Sequence, residues 1–106
     1  MNQAFGISDL SYKLLHETFK SYGQVEEVIL FGSRAKGDYK KGSDIDLAIK
    51  GEECNASLAL DIKAYINEEL ATPYMVDVVD YNSLTNAELK AHIDSVGISF
   101  YTKQIN

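Results

Sequence analysis

The chain has little of what small secreted domains and nucleic-acid-binding proteins rely on. Among its 106 residues there is one cysteine, Cys54, so no disulfide can form within the chain, which fits a reducing compartment. Ten basic residues against sixteen acidic ones leave a net charge of −6, which argues against a general nucleic-acid-binding surface. No apolar run reaches the length of a membrane span, and the first residues lack the features of a signal peptide. We therefore expect a cytoplasmic protein.

The composition is otherwise that of an ordinary globular domain. Hydrophobic residues make up 45% of the chain and charged residues 25%. A chain of 106 residues is expected to form a single domain, 1–106, with a modest core and no separate module for binding an acceptor substrate.

Helical and strand periodicities alternate along the whole chain, with no linker or repeat between them. The order they predict is α-β-loop-β-α-β-α-(β), an α/β (α+β) fold in which helices pack on a small sheet. The predicted helices cover 8–22, 55–70 and a segment that starts at a Thr85/Glu88 capping box and ends at Gly97. The predicted strands cover 25–31, 44–50, 75–81 and, as a short final strand, 98–102.

Two aspartates in the second predicted strand are the first candidates for chemistry. Asp44 and Asp46 are two residues apart, so their side chains project from the same face of a strand. Two neighbouring carboxylates repel each other unless a cation lies between them, and Mg²⁺ prefers carboxylate and phosphate oxygens. An isolated Asp-x-Asp is more often the solvated face of a sheet, which alternates in the same way. Aspartate is, however, a poor strand former, and here two interrupt an otherwise apolar strand.

The loop at 32–43 carries the second candidate feature. Gly32 follows a buried strand, where a glycine lets the backbone pass close to a ligand, and Ser33 adds a hydroxyl and an N–H group. Arg34 is the only arginine, and an arginine side chain can bind phosphate oxygens with two parallel hydrogen bonds. Lys36, Lys40 and Lys41 follow it within seven residues. Taken alone, a solvated basic loop would explain these residues equally well.

A third carboxylate is expected from the third predicted strand. Asp77 lies between Val76 and Val78, where a charged residue is costly unless it is paired, exposed or functional. An exposed position on an edge strand is the alternative. Asp80 has the opposite strand parity and lies at the strand end, so it ranks below Asp77.

Residues 30–37 (LFGSRAKG) and 43–49 (SDIDLAI) together resemble the signature of the DNA polymerase β-like nucleotidyltransferase superfamily. Within it, the short chain is most similar to the minimal nucleotidyltransferase group. The resemblance covers nearly the whole chain, including Asp77 with its valine neighbours, and implies the small mixed sheet of that fold.

The resemblance also implies a mechanism. Asp44 and Asp46 would bind two Mg²⁺ ions, and Asp77 would complete the site of the first ion and help to deprotonate the attacking hydroxyl. Gly32 and Ser33 would hold the phosphates of a nucleoside triphosphate such as ATP, assisted by Arg34. Two metal ions can stabilise the attacking and leaving oxygens of such an in-line displacement.

Members of the minimal group commonly pair with a HEPN-domain toxin and can adenylylate one of its tyrosines. The resemblance therefore implies a protein adenylyltransferase that acts as an antitoxin. Two alternatives stay open at this point. One is a binding module that neutralises its partner sterically, and the other is an enzyme that nucleotidylates a small molecule such as an antibiotic.

The two histidines, His16 and His92, fall on separate predicted helices. Together with Cys54 they do not form a zinc-binding spacing, so surface or helix-side roles are expected for both.

Overall fold

A computed structural model describes residues 4–104 of the chain. Four helices and four strands alternate along it, with a short 3₁₀ turn at Ala4–Gly6 and another at Tyr81–Ser83. In chain order, the main elements are α1 (Asp9–Ser21), β1 (Glu27–Phe31), α2 (Gly32–Lys36), β2 (Ile45–Lys50), α3 (Ala56–Glu69), β3 (Val76–Asp80), α4 (Ala87–Val96) and β4 (Ile98–Thr102). In this part of the chain, no helix is both long and apolar enough to cross a membrane.

The three long helices begin at side chains that accept a hydrogen bond from the first helical turn. The Ser8 hydroxyl accepts from the amide of Ser11, and the side chains of Asn55 and Asn86 do the same at α3 and α4. The predicted Thr85 capping box is therefore wrong, because Asn86 is a stronger cap and lies one residue closer to the helix.

The strands form one mixed sheet in the order β3-β2-β1-β4. Strand β1 pairs antiparallel with both β2 and β4, whereas β2 and β3 run parallel, joined by the crossover helix α3. The parallel register sets Asp46 directly beside Asp77. The sheet topology thus decides which acidic residues become neighbours.

Helices α1 and α3 cover one face of the sheet, and α4 covers part of the other. The larger core lies on the first face, where Leu15 and Phe19 of α1 and Ile62 and Ile66 of α3 are buried. A smaller cluster of Phe31, Ala48 and Ile93 lies under α4. The alternation of β2 therefore places Leu47 in the large core and Ala48 under α4, as the strand pattern predicts.

Most predicted elements are confirmed, and most of them are shorter than predicted by one or two residues at an end. The main difference is at 32–43, a segment predicted to be a loop, which begins with helix α2, five residues long. On α3, Ile62 and Ile66 are fully buried and anchor the helix, whereas 42% of the surface of Tyr65 is exposed.

Candidate active site

Asp46 and Asp77 lie side by side on the sheet face that α4 covers only in part. They are register partners on the parallel strands β2 and β3, and both side chains are half-buried. Burial raises the pKa of the Asp46 carboxyl above its ordinary value, and the carboxylates of Asp77 and then Asp44 raise it further. His92 and Arg34 oppose part of this shift. The field at Asp46 therefore favours a positively charged ligand.

Asp44 completes the acidic group from just outside the strand. It precedes β2, which starts at Ile45, and its side chain is exposed. It is nevertheless close enough to Asp46 to raise the pKa of that carboxyl. The structure thus sets Asp46 beside Asp77 with Asp44 near Asp46, and the roles assigned to the three carboxylates stay predictions.

Asp77 already has a cationic neighbour in the protein itself. Its Oδ1 atom lies 3.1 Å from Nζ of Lys63 on helix α3, and both side chains are about two-fifths exposed. An ion pair this exposed adds little stability. The Lys63 ammonium partly neutralises the acidic group, and a metal ion bound to Asp77 would share this carboxylate with Lys63 or displace it.

Gly32 lies directly against Asp46. Its φ of +75° is in the left-handed region, which suits glycine. A Cβ added at this position would collide with Oδ2 of the Asp46 side chain. The turn between β1 and α2 thus places backbone without a side chain against the Asp46 carboxylate. Any larger residue at position 32 would displace either the turn or the carboxylate.

His92 bonds to the same turn from the opposite side. Its Nε2 atom accepts a hydrogen bond of 3.1 Å from the amide of Gly32, sixty residues earlier in the chain. The ring packs edge-on against Phe31, with centroids 6.1 Å apart. His92 thus lies partly exposed on the side of α4, within the surface or helix-side roles expected for it, but its contact with the Gly32 turn was not predicted. Only tertiary structure brings α4 against the turn, so no local sequence signal could have identified this residue.

Arg34 is buried rather than open to a ligand. Only 2% of its surface is exposed, and its terminal nitrogens donate to the carbonyl oxygens of Phe5 at 2.8 Å and Ser43 at 2.7 Å. The guanidinium also lies between the rings of Tyr39 and Tyr74, 5.1 Å from each centroid. This arrangement gives no support to direct phosphate binding. It shows instead a side chain that holds Phe5, together with Tyr39 and Ser43 of the 37–44 loop, against α2.

Asp80, ranked below Asp77, lies outside the acidic group. It is 4% exposed, and its Oδ2 accepts a hydrogen bond from the Ser83 hydroxyl on the far side of the sheet from Asp46. Cys54 is buried nearby, and burial raises the pKa of its thiol, with the charge of Asp80 adding to the shift. A thiol of raised pKa is a poor nucleophile, so the structure assigns no chemistry to Cys54.

The family model described as "Polymerase beta, Nucleotidyltransferase" matches residues 13–106, which include all three aspartates and the glycine-serine turn. The chain belongs to this family. The helices and the mixed sheet of this polymerase β nucleotidyltransferase agree with that fold.

Individual relatives give the same placement. The chain is 38% identical over 74 residues to the "Probable protein adenylyltransferase MntA" of Haemophilus influenzae (strain ATCC 51907 / DSM 11121 / KW20 / Rd), a match that covers 70% of this chain and 64% of that protein. The chain thus spans somewhat less than two thirds of that relative's length.

Two solved structures share the fold at lower identity. A chain in the crystal structure of a toxin–antitoxin with AMP-PNP superimposes with a TM-score of 0.68 at 20% identity, over 92% of this chain and 76% of that one. A chain in the crystal structure of the toxin–antitoxin MntA-HepT gives 0.66 at 18% identity, over 92% and 74%. At these identities the likeness shows a shared fold.

The residues of this family member fit a divalent cation by chemistry and charge. Three carboxylates supply the oxygen ligands that Mg²⁺ prefers, and the pKa of Asp46 is raised first by burial and then by the charges of Asp77 and Asp44. Within residues 4–104, however, no three acidic, histidine or cysteine side chains are grouped closely enough to bind an ion together.

Proposed function

We propose that this protein is a Mg²⁺-dependent nucleotidyltransferase that transfers an AMP group from ATP to a hydroxyl, in the cytoplasm. The proposed acceptor is a tyrosine of a HEPN-domain toxin, so that the modification neutralises the toxin. The single observation that carries the proposal is the register of β2 and β3, which sets Asp46 beside Asp77 at the Gly32 turn.

The acidic group and the turn divide the chemistry between them. Asp46, with Asp44 and Asp77, would hold two Mg²⁺ ions. Bound there, the ions would neutralise charge on the phosphates and make the attacking hydroxyl more acidic. Gly32 lets the triphosphate approach the backbone, and Ser33 offers its hydroxyl and amide to the phosphate oxygens.

The proposed transfer is a single in-line displacement at the α-phosphorus of ATP. The acceptor oxygen forms a bond to this phosphorus while the bond to the bridging oxygen of pyrophosphate breaks, and pyrophosphate leaves. Asp77 accepts the proton of the acceptor hydroxyl, a role that suits a carboxylate at the exposed edge strand of the sheet.

The protein acceptor is supported by the relatives. The Haemophilus influenzae relative is named a probable protein adenylyltransferase, and structures of similar fold come from toxin–antitoxin complexes. An acidic surface argues against a nucleic-acid acceptor, because the net charge of −6 would repel phosphates.

The test is label transfer from α-³²P-ATP with Mg²⁺ to the protein encoded by the neighbouring gene. We expect the wild type to label that protein and Asp46→Asn to lose at least about 100-fold of the rate, since even residues that only support a metal ligand can cost this much. Asp61→Asn is the matched control, because Asp61 is an exposed carboxylate on α3 away from the site. Equal transfer by wild type and Asp46→Asn would overturn the metal assignment.

A steric antitoxin without catalysis is the second candidate. It is favoured by the fact that, in the described residues, the carboxylates do not form a complete ligand set and Lys63 occupies Asp77. It predicts that wild type and Asp46→Asn transfer no label yet inhibit the toxic activity of the partner equally. Transfer of label to an aminoglycoside, and not to the partner, would instead support a small-molecule enzyme.

A further inference from the structure

The first amide of helix α2, that of Gly32, needs a hydrogen-bond acceptor from outside the helix. The first amides of a helix have no acceptor within it, and Phe31, the residue before α2, has no side-chain oxygen to accept a hydrogen bond from them. At the start of each of the three long helices, α1, α3 and α4, the side chain of a serine or asparagine accepts this hydrogen bond. At α2, the acceptor for the Gly32 amide is Nε2 of His92, at 3.1 Å.

We propose that His92 is a positioning residue for nucleotidyl transfer, which holds the Gly32–Ser33 turn in the conformation that receives the triphosphate. The expected effect on nucleotidyl transfer rests on the proposed function. The expected effect on the position of the Gly32–Ser33 turn rests on the structure alone. It assigns α4, which contributes no carboxylate to the site, a direct role in shaping it.

Contacts on both sides define the position of the turn. On one side, the Asp46 carboxylate lies against the Cα of Gly32, where an added Cβ would collide with it. On the other, the His92 ring accepts the Gly32 amide proton and packs edge-on against Phe31. Residue 32 is thus confined between β2 and α4, and a change in either would shift the turn.

The hydrogen bond also decides which groups remain for the phosphates. The N–H group of Gly32 donates to His92 and so is not available to a phosphate oxygen. Gly32 contributes to phosphate binding because, without a side chain, it lets the phosphate approach the backbone. Donation then falls to Ser33, whose side chain and amide follow directly. His92 is itself held by α4, because the buried Ile93 next to it anchors the helix on Phe31 and Ala48.

Two variants separate the hydrogen bond from the bulk of the ring. In His92→Gln, the side-chain oxygen reaches about as far as Nε2 and can still accept from Gly32. In His92→Asn, the oxygen corresponds in reach to Nδ1 and falls short. We expect His92→Asn to raise the KM for ATP and lower kcat/KM by about 10- to 100-fold, the range for a donor left unsatisfied. His92→Gln should recover most of this loss, and Ser95→Ala, an exposed position on the same helix, should match the wild type.

The geometric part is tested without any activity. We would follow hydrogen exchange of the Gly32 amide by NMR in the free protein and measure unfolding of each variant in urea. We expect faster exchange at Gly32 in His92→Asn and near-wild-type exchange in His92→Gln, with similar unfolding midpoints for the two variants. Unchanged exchange in His92→Asn would overturn the inference. So would equal kinetic losses in both variants, since a structural role alone predicts no rescue by glutamine.

The two readouts also distinguish failure of this inference from failure of the proposed function. If wild-type protein transfers no label but exchange at Gly32 follows the expected order, the function is wrong and the positioning of the turn stands. If transfer occurs and neither exchange nor KM responds to His92→Asn, the function stands and the role of His92 is wrong.

Discussion

The conformation of Gly32 combines two constraints that can be tested separately. Gly32 and Gly37 both have positive φ, at 75° and 87°, but only Gly32 has a neighbouring side chain where a Cβ would lie. Gly42 has no positive φ and open space around it. These three glycines lie within eleven residues, so they provide a graded series in one loop.

We expect Gly37→Ala to cost about 1–2 kcal/mol of unfolding free energy through backbone strain alone and to keep its activity. Gly32→Ala should cost at least as much, and it should also abolish transfer because the methyl group displaces the Asp46 carboxylate. Gly42→Ala should stay within about 0.5 kcal/mol of the wild type. Urea unfolding and label transfer measure the two effects, and full activity in Gly32→Ala would contradict the described contact.

His16 provides a prediction about pH. Its ring stacks on Tyr12, with centroids 4.6 Å apart, and packs against Phe100 and Tyr101. Burial lowers the pKa of His16, and a backbone hydrogen bond at Phe100 opposes this in part. Because the unfolded chain binds a proton near pH 6.5 and the folded one only at lower pH, the free energy of unfolding should fall as the pH drops below about 6.5.

The comparison is between wild type and His16→Phe, which keeps an aromatic ring in the stack but cannot be protonated. Between about pH 7.5 and about pH 5.5, the urea midpoint of the wild type should fall further than that of the variant. Parallel curves for the two proteins would show that His16 does not contribute to the loss of stability in acid.

At the level of secondary-structure elements, Arg34 connects segments that are far apart in the sequence. Its guanidinium bonds to Phe5 in the first 3₁₀ turn and to Ser43 at the end of the loop before β2. The rings of Tyr39 and Tyr74 enclose it from the loop and from the start of β3. The loop that precedes Asp44 is therefore anchored by a residue at the start of the same segment.

We expect Arg34→Lys to lower the free energy of unfolding by about 1–3 kcal/mol, because one ammonium cannot reproduce the planar fork that reaches both carbonyls. Lys36→Gln is the control, since Lys36 forms only an exposed ion pair with Asp38. Urea unfolding measures the difference. If Arg34→Lys keeps full stability and instead raises the KM for ATP, Arg34 binds phosphate as the resemblance implied.

For the whole molecule, the separation of the two sheet faces sets where a ligand can bind. Helices α1 and α3 bury one face, so Asp46 and Asp77 lie on the other, beside α4. The acidic group raises the free energy of the folded state through its own repulsion, which a bound cation would relieve.

Mg²⁺ should therefore stabilise the entire fold. At about 100 times its Kd, a ligand that binds only the folded state adds about 2.7 kcal/mol, which is measured as a rise in Tm. In Asp46→Asn we expect a higher Tm than the wild type without Mg²⁺, because a repelling charge is gone, and little further rise when Mg²⁺ is added. An equal Mg²⁺ response in both proteins would place the cation elsewhere.

Much of this protein could be predicted from local patterns, because strand and helix periodicity and the Asp-x-Asp pair act over a few residues. The sequence by itself determined the element order, the Asp-x-Asp pair at the start of β2 and the glycine that follows β1. It could not determine that β3 lies parallel to β2 with Asp77 beside Asp46, that α4 brings His92 to Gly32, or that Arg34 is buried between two tyrosines. Those contacts join residues far apart in the chain, and only packing of the helices on the sheet decides them.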